Sequence, residues 1–297
     1  MDAAKTKGVL LCTLSALLYG LNAVLLKQLT LLGMSVAGMV VLRSLLAMAL
    51  VGVWLKLRGM KLVPEEKGSG RLLLLHSLGG AGLTVVLLNL SYLYLSAGMA
   101  TTLHYLYPLL VNLGGFALFG EKLRRSTLGV LAAVVAGVAL LAGSGGAVKA
   151  AGVVLAVGSG CTWAFHMLFL DHTALKSQPP LRLTFWQAAA SALLGLVLVP
   201  VKGESLFQGL SLPALGLLVL SALCALVFAN ALLNRGIQWA GSPLASIFNV
   251  FEPIGSIVFG MLFLLELPTP RQWAGMGLIL AAIAFLLLSN FRARTRT

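Results

Sequence analysis

Apolar runs recur along this chain of 297 residues with almost no polar gap between them. A helix that crosses a bilayer needs about 20 largely apolar residues. Broken at charge, Gly and Pro, the runs predict ten spans: 8–27, 34–55, 71–95, 99–120, 126–143, 150–172, 181–200, 212–235, 243–265 and 271–291. The linkers are short. The longest, around Leu57 to Gly70, carries Lys61, Pro64, Glu65, Glu66 and Lys67. No polar stretch is long enough to fold alone. The first run follows Lys5 and Lys7 and continues to about Leu26, longer than the core of a signal peptide, so it reads as a retained helix. The pattern predicts an all-α membrane protein.

Composition agrees with the pattern and explains the charge. Hydrophobic residues make up 59% of the chain and charged ones 10%, against about a quarter charged in a soluble domain. The formal net charge of +13 suits a nucleic-acid partner only in a soluble protein. In a membrane protein Lys and Arg gather in cytoplasmic loops. With the N-terminus placed inside, 16 of the 21 Lys and Arg fall on inner segments and four (Lys27, Lys149, Lys202 and Arg271) on outer ones, with Arg43 inside a span. That split predicts an even number of spans, cytoplasmic termini, a cell (plasma or inner) membrane location, and no nucleic acid. Cys12, Cys161 and Cys224 sit in apolar runs and read as small buried hydrophobes, with no disulfide or metal pattern.

The two halves of the chain, 1–145 and 146–297, match. The fourth span, from Thr101, and the ninth, from Ala245, align on Pro108 and Pro253. Gly115 then falls on Gly260 and Glu121 on Glu266, with 13 residues from Pro to Glu in both. A shift of 144 places Ser15 on Ser159, Tyr19 on Trp163, Asn22 on His166, Arg43 on Gln187 and Gly59 on Gly203. Five spans per copy is an odd number, so the second copy enters the membrane the other way up. Inverted repeats of this kind are a device of secondary transporters.

Order and spacing of these short motifs resemble the EamA-type branch of the drug/metabolite transporter superfamily. The motifs are Phe119 to Leu123 ("FGEKL"), Leu264 to Pro268 ("LLELP"), the Glu252-Pro253 pair, Tyr19-Gly20 and Trp163-Ala164. The resemblance covers nearly the whole chain. It implies a ten-helix transporter with a central cavity between the halves and the fifth and tenth helices at the periphery, and it implies no particular substrate. The second copy lacks an arginine opposite Arg43, so any substrate contact there is asymmetric.

Polar groups inside the spans nominate the site. An arginine at a helix centre costs about 2.5–3.5 kcal/mol on insertion scales. Arg43 therefore needs a partner, a cavity or water. It suits an anionic substrate group through its planar fork; the plainer alternatives are an internal pair with Glu252 or a cap on backbone carbonyls. Glu252 lies deep in an apolar span. Apolar surroundings favour the neutral form of a carboxylic acid, which opens a proton-coupling role beside a substrate-amine contact or a helix-to-helix tie. Helical spacing puts His104, Tyr105, Pro108 and Asn112 on one broad face, and Asn249, Glu252, Pro253 and Ser256 on the equivalent one. Pro108 and Pro253 each remove a backbone hydrogen bond and predict kinks with free carbonyls toward a cavity, or simply packed prolines. Ser15, Tyr19 and Asn22 match Ser159, Trp163 and His166 as two aromatic-polar stripes, cavity wall or packing. Trp186 and Gln187 lie opposite Leu42 and Arg43 and join the substrate-binding candidates. Asn230, Asn234 and Gln238 read as interhelical hydrogen-bonding groups, His76 as interfacial, and Glu121 and Glu266 as structural anchors. The Gly129, Ala133, Gly137 ladder suits close helix packing, within the chain or between protomers.

Enzyme chemistry finds no foothold. There is no HExxH, GxSxG or Walker-type loop, and the two aspartates, Asp2 and Asp171, lie near loops. The expectation is a secondary transporter, without cofactor or metal, that exports a small polar metabolite such as an amino acid by alternating access. A channel or a non-transporting sensor or scaffold remains the alternative.

Overall fold

The computed structural model describes residues 3–63, 68–120, 125–142, 149–241, 245 and 248–294, and among these every regular element is helical. Helix α1 (Ala3–Leu31) ends at Gly33, whose φ of 81° reverses the chain at no steric cost. Helix α2 (Val36–Leu57) starts from Ser35, whose Oγ accepts the Gly38 amide at 2.9 Å, satisfying one of the free amides of a helix start. The third apolar run is continuous but not uniform. A short α3 (Ser69–Leu75) passes into a π-helical segment, His76–Gly82, and then α4 (Leu83–Ser91).

The fourth run is divided into α5 (Ala97–His104) and α6 (Tyr107–Phe119). Next come α7 (Arg125–Ala142), α8 (Ala150–His172) and α9 (Pro180–Lys202). Helix α10 (Leu212–Ser221), a second π-helical segment, Ala222–Ala229, and α11 (Asn230–Ala240) form one more continuous rod. The chain closes with α12 (Phe251–Leu264) and α13 (Pro270–Arg294). Among the described residues six helices are long and apolar enough to cross a membrane, and 251–264 and 270–286 are shorter apolar helices. The described residues thus give six candidate spans beside shorter apolar helices, and the expected ten is a finer count than they establish. Proline divides the fourth run: Pro108 has no amide to give, and α5 ends four residues before it, at His104.

Packing crosses between the halves. Helix α1 lies on α11 and α12 of the second half, and α8 lies on α4, α5 and α6 of the first. Helices α2 and α9, which the 144-residue shift makes equivalent, pack along their length. The loops show that they run antiparallel. At the start of α2, the Ser35 amide bonds Gln208 O at 3.3 Å, Ser35 Oγ donates to Ser205 O at 2.8 Å, and Glu204 Oε2 accepts the Ala37 amide at 3.2 Å. At the start of α9, Arg182 Nε donates to Lys61 O at 2.8 Å and Trp186 Nε1 to Leu62 O at 2.9 Å. Each helix thus begins beside the loop that ends the other.

Helices α7 and α13 pack mainly on each other, and α13 touches α5 and α6 more lightly. A Cβ on Gly137 would stand 2.6 Å from Ile279 Cγ1 and 3.0 Å from Gly275 O, whereas Gly129 faces open space. The small-residue ladder therefore serves an internal contact at Gly137. Large apolar side chains such as Leu10, Leu118 and Val154 stay exposed, as the lipid-facing side of a membrane helix requires. Cys12 is buried, Cys224 half-buried and Cys161 exposed, all as free thiols. The exposure of Cys161 corrects the expectation of burial, because its face of α8 points outward while Ser159 and Trp163 point in.

Candidate functional site

Where α1, α2, α4, α5, α8, α9, α11 and α12 converge, they line a partly open cavity of about 60 Å³. One water needs roughly 10–15 Å³ by that measure, so the space holds several. Seven of the residues nominated above line it: Tyr19, Asn22, Arg43, His104, Trp163, Gln187 and Glu252. Thr84, Asn89, Ser191 and Asn230 complete the polar lining, and Leu26, Ala81, Val85, Leu88, Ala225 and Leu226 the apolar.

Arg43 is only 2% exposed. Its Nη1 donates to Ser221 Oγ at 3.2 Å, and Ser221 Oγ donates onward to Asn22 Oδ1 at 2.6 Å. A guanidinium has five N–H donors, so this short relay orients the fork and leaves most of it unused. Glu252 is 6% exposed on the α12 side. An ion pair joins Lys176, just past α8, to Asp171 in its last turn at 2.6 Å; Arg43 and Glu252 do not pair with each other. The guanidinium and the carboxyl group instead face the same cavity.

Two close helix crossings put Glu252 and His104 in place. A Cβ on Gly20 would stand 2.8 Å from Glu252 O and 3.0 Å from the Ser256 amide, so α1 passes α12 with no side chain between. Gly160 does the same on α8, where a Cβ would stand 2.7 Å from His104 O. That carbonyl is the one Pro108 leaves without its helical amide partner, and it abuts Gly160. The sequence predicts a kink with a carbonyl free toward a cavity, or simply a packed proline. The structure has a break at Tyr105 and Leu106, with the His104 carbonyl turned to the glycine face of α8.

Aromatic rings build the remaining wall. Tyr19 and Trp163, equivalent in the two halves, meet edge to face with centroids 6.1 Å apart. The Tyr19 hydroxyl donates to Asn230 Oδ1. His104 Nδ1 and Ser159 Oγ are 2.9 Å apart, and the His104 ring lies 6.1 Å from Trp163. Thr101 and Ser256 share a hydrogen bond between α5 and α12. The Asn230, Asn234 and Gln238 stripe divides: Asn230 lines the cavity, Asn234 Nδ2 donates to Thr184 Oγ1 at 3.5 Å, and Gln238 Nε2 to Gln178 O at 2.7 Å.

Four nominated residues stand elsewhere. Tyr105 is buried against Tyr107 with centroids 5.2 Å apart, because the break after His104 turns it off the cavity face. His166 lies behind Trp163, stacked on it at 4.4 Å. Trp186 reaches the loop after α2 through its bond to Leu62 O, the usual place of an interfacial tryptophan. Asn249 is buried just before α12, beside Tyr107. His76, read as interfacial, is fully buried against His166 with centroids 4.4 Å apart. Glu266 Oε2 accepts the Ala97 amide at 3.1 Å, a carboxylate on the positive end of α5. Glu121 lies outside the described residues.

Thr84, Asn89 and Ser191 line the cavity unannounced. Single hydroxyls and amides in apolar runs are common helix-packing groups, and only tertiary contact separates the two uses.

The model of the EamA-like transporter family matches this chain twice, at residues 6–143 and 150–288. An uncharacterized transporter of Bacillus subtilis (strain 168), YvbV, is 30% identical over 217 residues, which is 69% of this chain and 66% of that one. A second from the same organism, the uncharacterized transporter YwfM, is 24% identical over 149 residues, 50% of this chain and 49% of its own. The aligned stretches thus span about two thirds and about half of these relatives. A solved crystal structure, 18% identical, shares the fold with a TM-score of 0.63 over 95% of this chain and 99% of that one. With two copies of the family model over nearly its whole length, the chain belongs to the EamA-like transporter family of multi-pass membrane proteins.

Proposed function

We propose that this protein is a secondary transporter that exports a small polar organic metabolite, with a zwitterion such as an amino acid as the substrate class. One observation carries the reading: Arg43 and Glu252 face one buried cavity without neutralising each other. A buried charge without a partner is costly. A solute carrying a carboxylate and an ammonium group offsets both costs at once, the carboxylate on the guanidinium fork and the ammonium on Glu252. Tyr19, Trp163 and His104 supply the flat wall such a solute packs on. The antiparallel course of α2 and α9 supports two oppositely oriented halves, 1–145 and 146–297, rocking about the cavity in alternating access. Glu252 doubles as the candidate proton carrier. No enzyme chemistry, cofactor or metal enters the cycle, and both termini face the cytoplasm.

The test is counterflow of labelled amino acids in liposomes containing the purified protein. Saturable counterflow is expected for the carrier, and current without saturation for a channel. Arg43→Ala and Glu252→Gln should each lower apparent affinity roughly ten- to a hundredfold, the loss of a charged hydrogen bond at about 1.5–3 kcal/mol. Undiminished transport by both variants, with an unchanged pH profile in Glu252→Gln, overturns these roles.

A further inference from the structure

Two histidines just beyond the cavity wall have no role in the proposed binding step. His76 and His166 are both fully buried. Their rings lie 4.4 Å apart at 30°, and His166 in turn stacks on Trp163 at 4.4 Å and 10°. Trp163 lines the cavity, so the pair is one ring removed from it. Among the described residues, no donor or acceptor lies within hydrogen-bond reach of any of the four ring nitrogens. Each neutral imidazole has one N–H donor and one lone-pair acceptor, and leaving such groups unsatisfied in an apolar interior carries their full desolvation cost. A shared metal ion does not explain them. Imidazole lone pairs lie in the ring plane, and planes stacked this closely aim their lone pairs past each other.

The surroundings supply a seam. His76 opens the π-helical segment His76–Gly82, and such wide turns gather at functional places in helices. Its glycines bring the backbone directly onto α8 and α9. A Cβ on Gly80 would stand 2.9 Å from His166 Cβ, and one on Gly82 3.1 Å from Ala190 Cβ. Contacts between backbones without interposed side chains slide or part without rotamer changes. The second half repeats the device 146 residues later, at Ala222–Ala229. The pair also sits toward one end of the molecule. His76 is seven residues from the start of α3, and His166 six from the end of α8, both near the face of the 58–63 loop.

We infer that His76 and His166 line the permeation path of the opposite-facing state, with Trp163 as the partition between this path and the cavity. When the partition swings, water and the polar solute reach the imidazoles and satisfy them. The solute then has a second polar station between the face of the 58–63 loop and the cavity. The inference rests on the carrier reading for its direction, and its test is separate.

Cys12, Cys161 and Cys224 are replaced by Ser or Ala, and His76→Cys and His166→Cys are introduced one at a time. Purified protein in liposomes is treated from either face with the membrane-impermeant thiol reagent methanethiosulfonate ethyltrimethylammonium. Both thiols should react from the face of the 58–63 loop, at least tenfold faster than Val154→Cys on the 70% exposed outer side of α8. Reaction no faster than Val154→Cys from either face overturns the inference, since a stack that serves only packing stays closed. If a variant fails to fold, the wild-type protein is treated with diethyl pyrocarbonate and its peptides are weighed. Modification of His76 and His166 supports the path; modification of His104 alone overturns it. Reactive thiols without amino acid counterflow would sink the carrier reading and keep the path, and counterflow with unreactive thiols would do the reverse.

Discussion

Arg43 shows how one residue can be legible in kind and open in role. Its cost inside an apolar run is visible in the sequence, because nothing else in that helix from Val36 to Leu55 is charged. Whether the charge is neutralised depends on residues more than 170 positions away. The structure supplies Ser221 and, through it, Asn22, and it withholds Glu252. Ser221→Ala is expected to weaken substrate affinity about tenfold, the lower end of a hydrogen bond to a charged group at about 1.5 kcal/mol, with little change in maximal rate, because the guanidinium stays in the cavity but loses its orientation. A concentration series of counterflow checks this; an unchanged affinity would mean that Ser221 only fills space. Tyr19→Phe removes the bond to Asn230 and keeps the ring against Trp163. Thermal stability should fall by about 0.5–1.5 kcal/mol, read as a lower melting temperature in detergent.

At the scale of elements, the two glycine crossings decide where the charged and polar groups stand. Gly20 and Gly160 each leave no space for a Cβ between backbones. Their neighbours are main-chain atoms, which cannot turn aside as a long side chain does. Gly20→Ala and Gly160→Ala should each cost about 1–3 kcal/mol, as overpacking does, and disturb transport with it. Gly129→Ala, on a face with nothing within 4 Å, should be neutral or slightly stabilising through helix propensity. Melting temperatures of the three variants give the comparison, and equal behaviour would show that the crossings tolerate separation. The break between α5 and α6 belongs to the same scale. Pro108 marked it in the sequence, yet the sequence pattern suggested a bend with carbonyls facing the cavity. The glycine face of α8 drew the freed carbonyl of His104 instead, and that choice follows from the partner helix.

For the whole molecule, the antiparallel pair α2 and α9 fixes which loops share a face. The 58–63 loop lies at the start of α9 and the 204–208 loop at the start of α2. Reporters fused after residue 62 and after residue 206 should therefore report opposite sides of the membrane, with the basic 56–71 segment cytoplasmic. Both reporters on one side would dismantle the two-fold arrangement and the alternating-access proposal together.

Apolar periodicity, charge placement and internal repetition are local or near-local properties, and they determined the helical membrane class, the two matched halves and the family resemblance. The same properties named seven of the cavity residues, because a polar group in a greasy helix stands out wherever it finally points. Which of those groups meet was settled by helix rotation and crossing, and these depend on how all the faces fit at once. His166 and Tyr105 look as suitable in sequence as Trp163 and His104, and a turn of the backbone after His104 and one stacked ring separate them. His76 and His166 gained their meaning only when two halves of the chain brought their ring nitrogens together in an apolar interior, without a partner among the described residues.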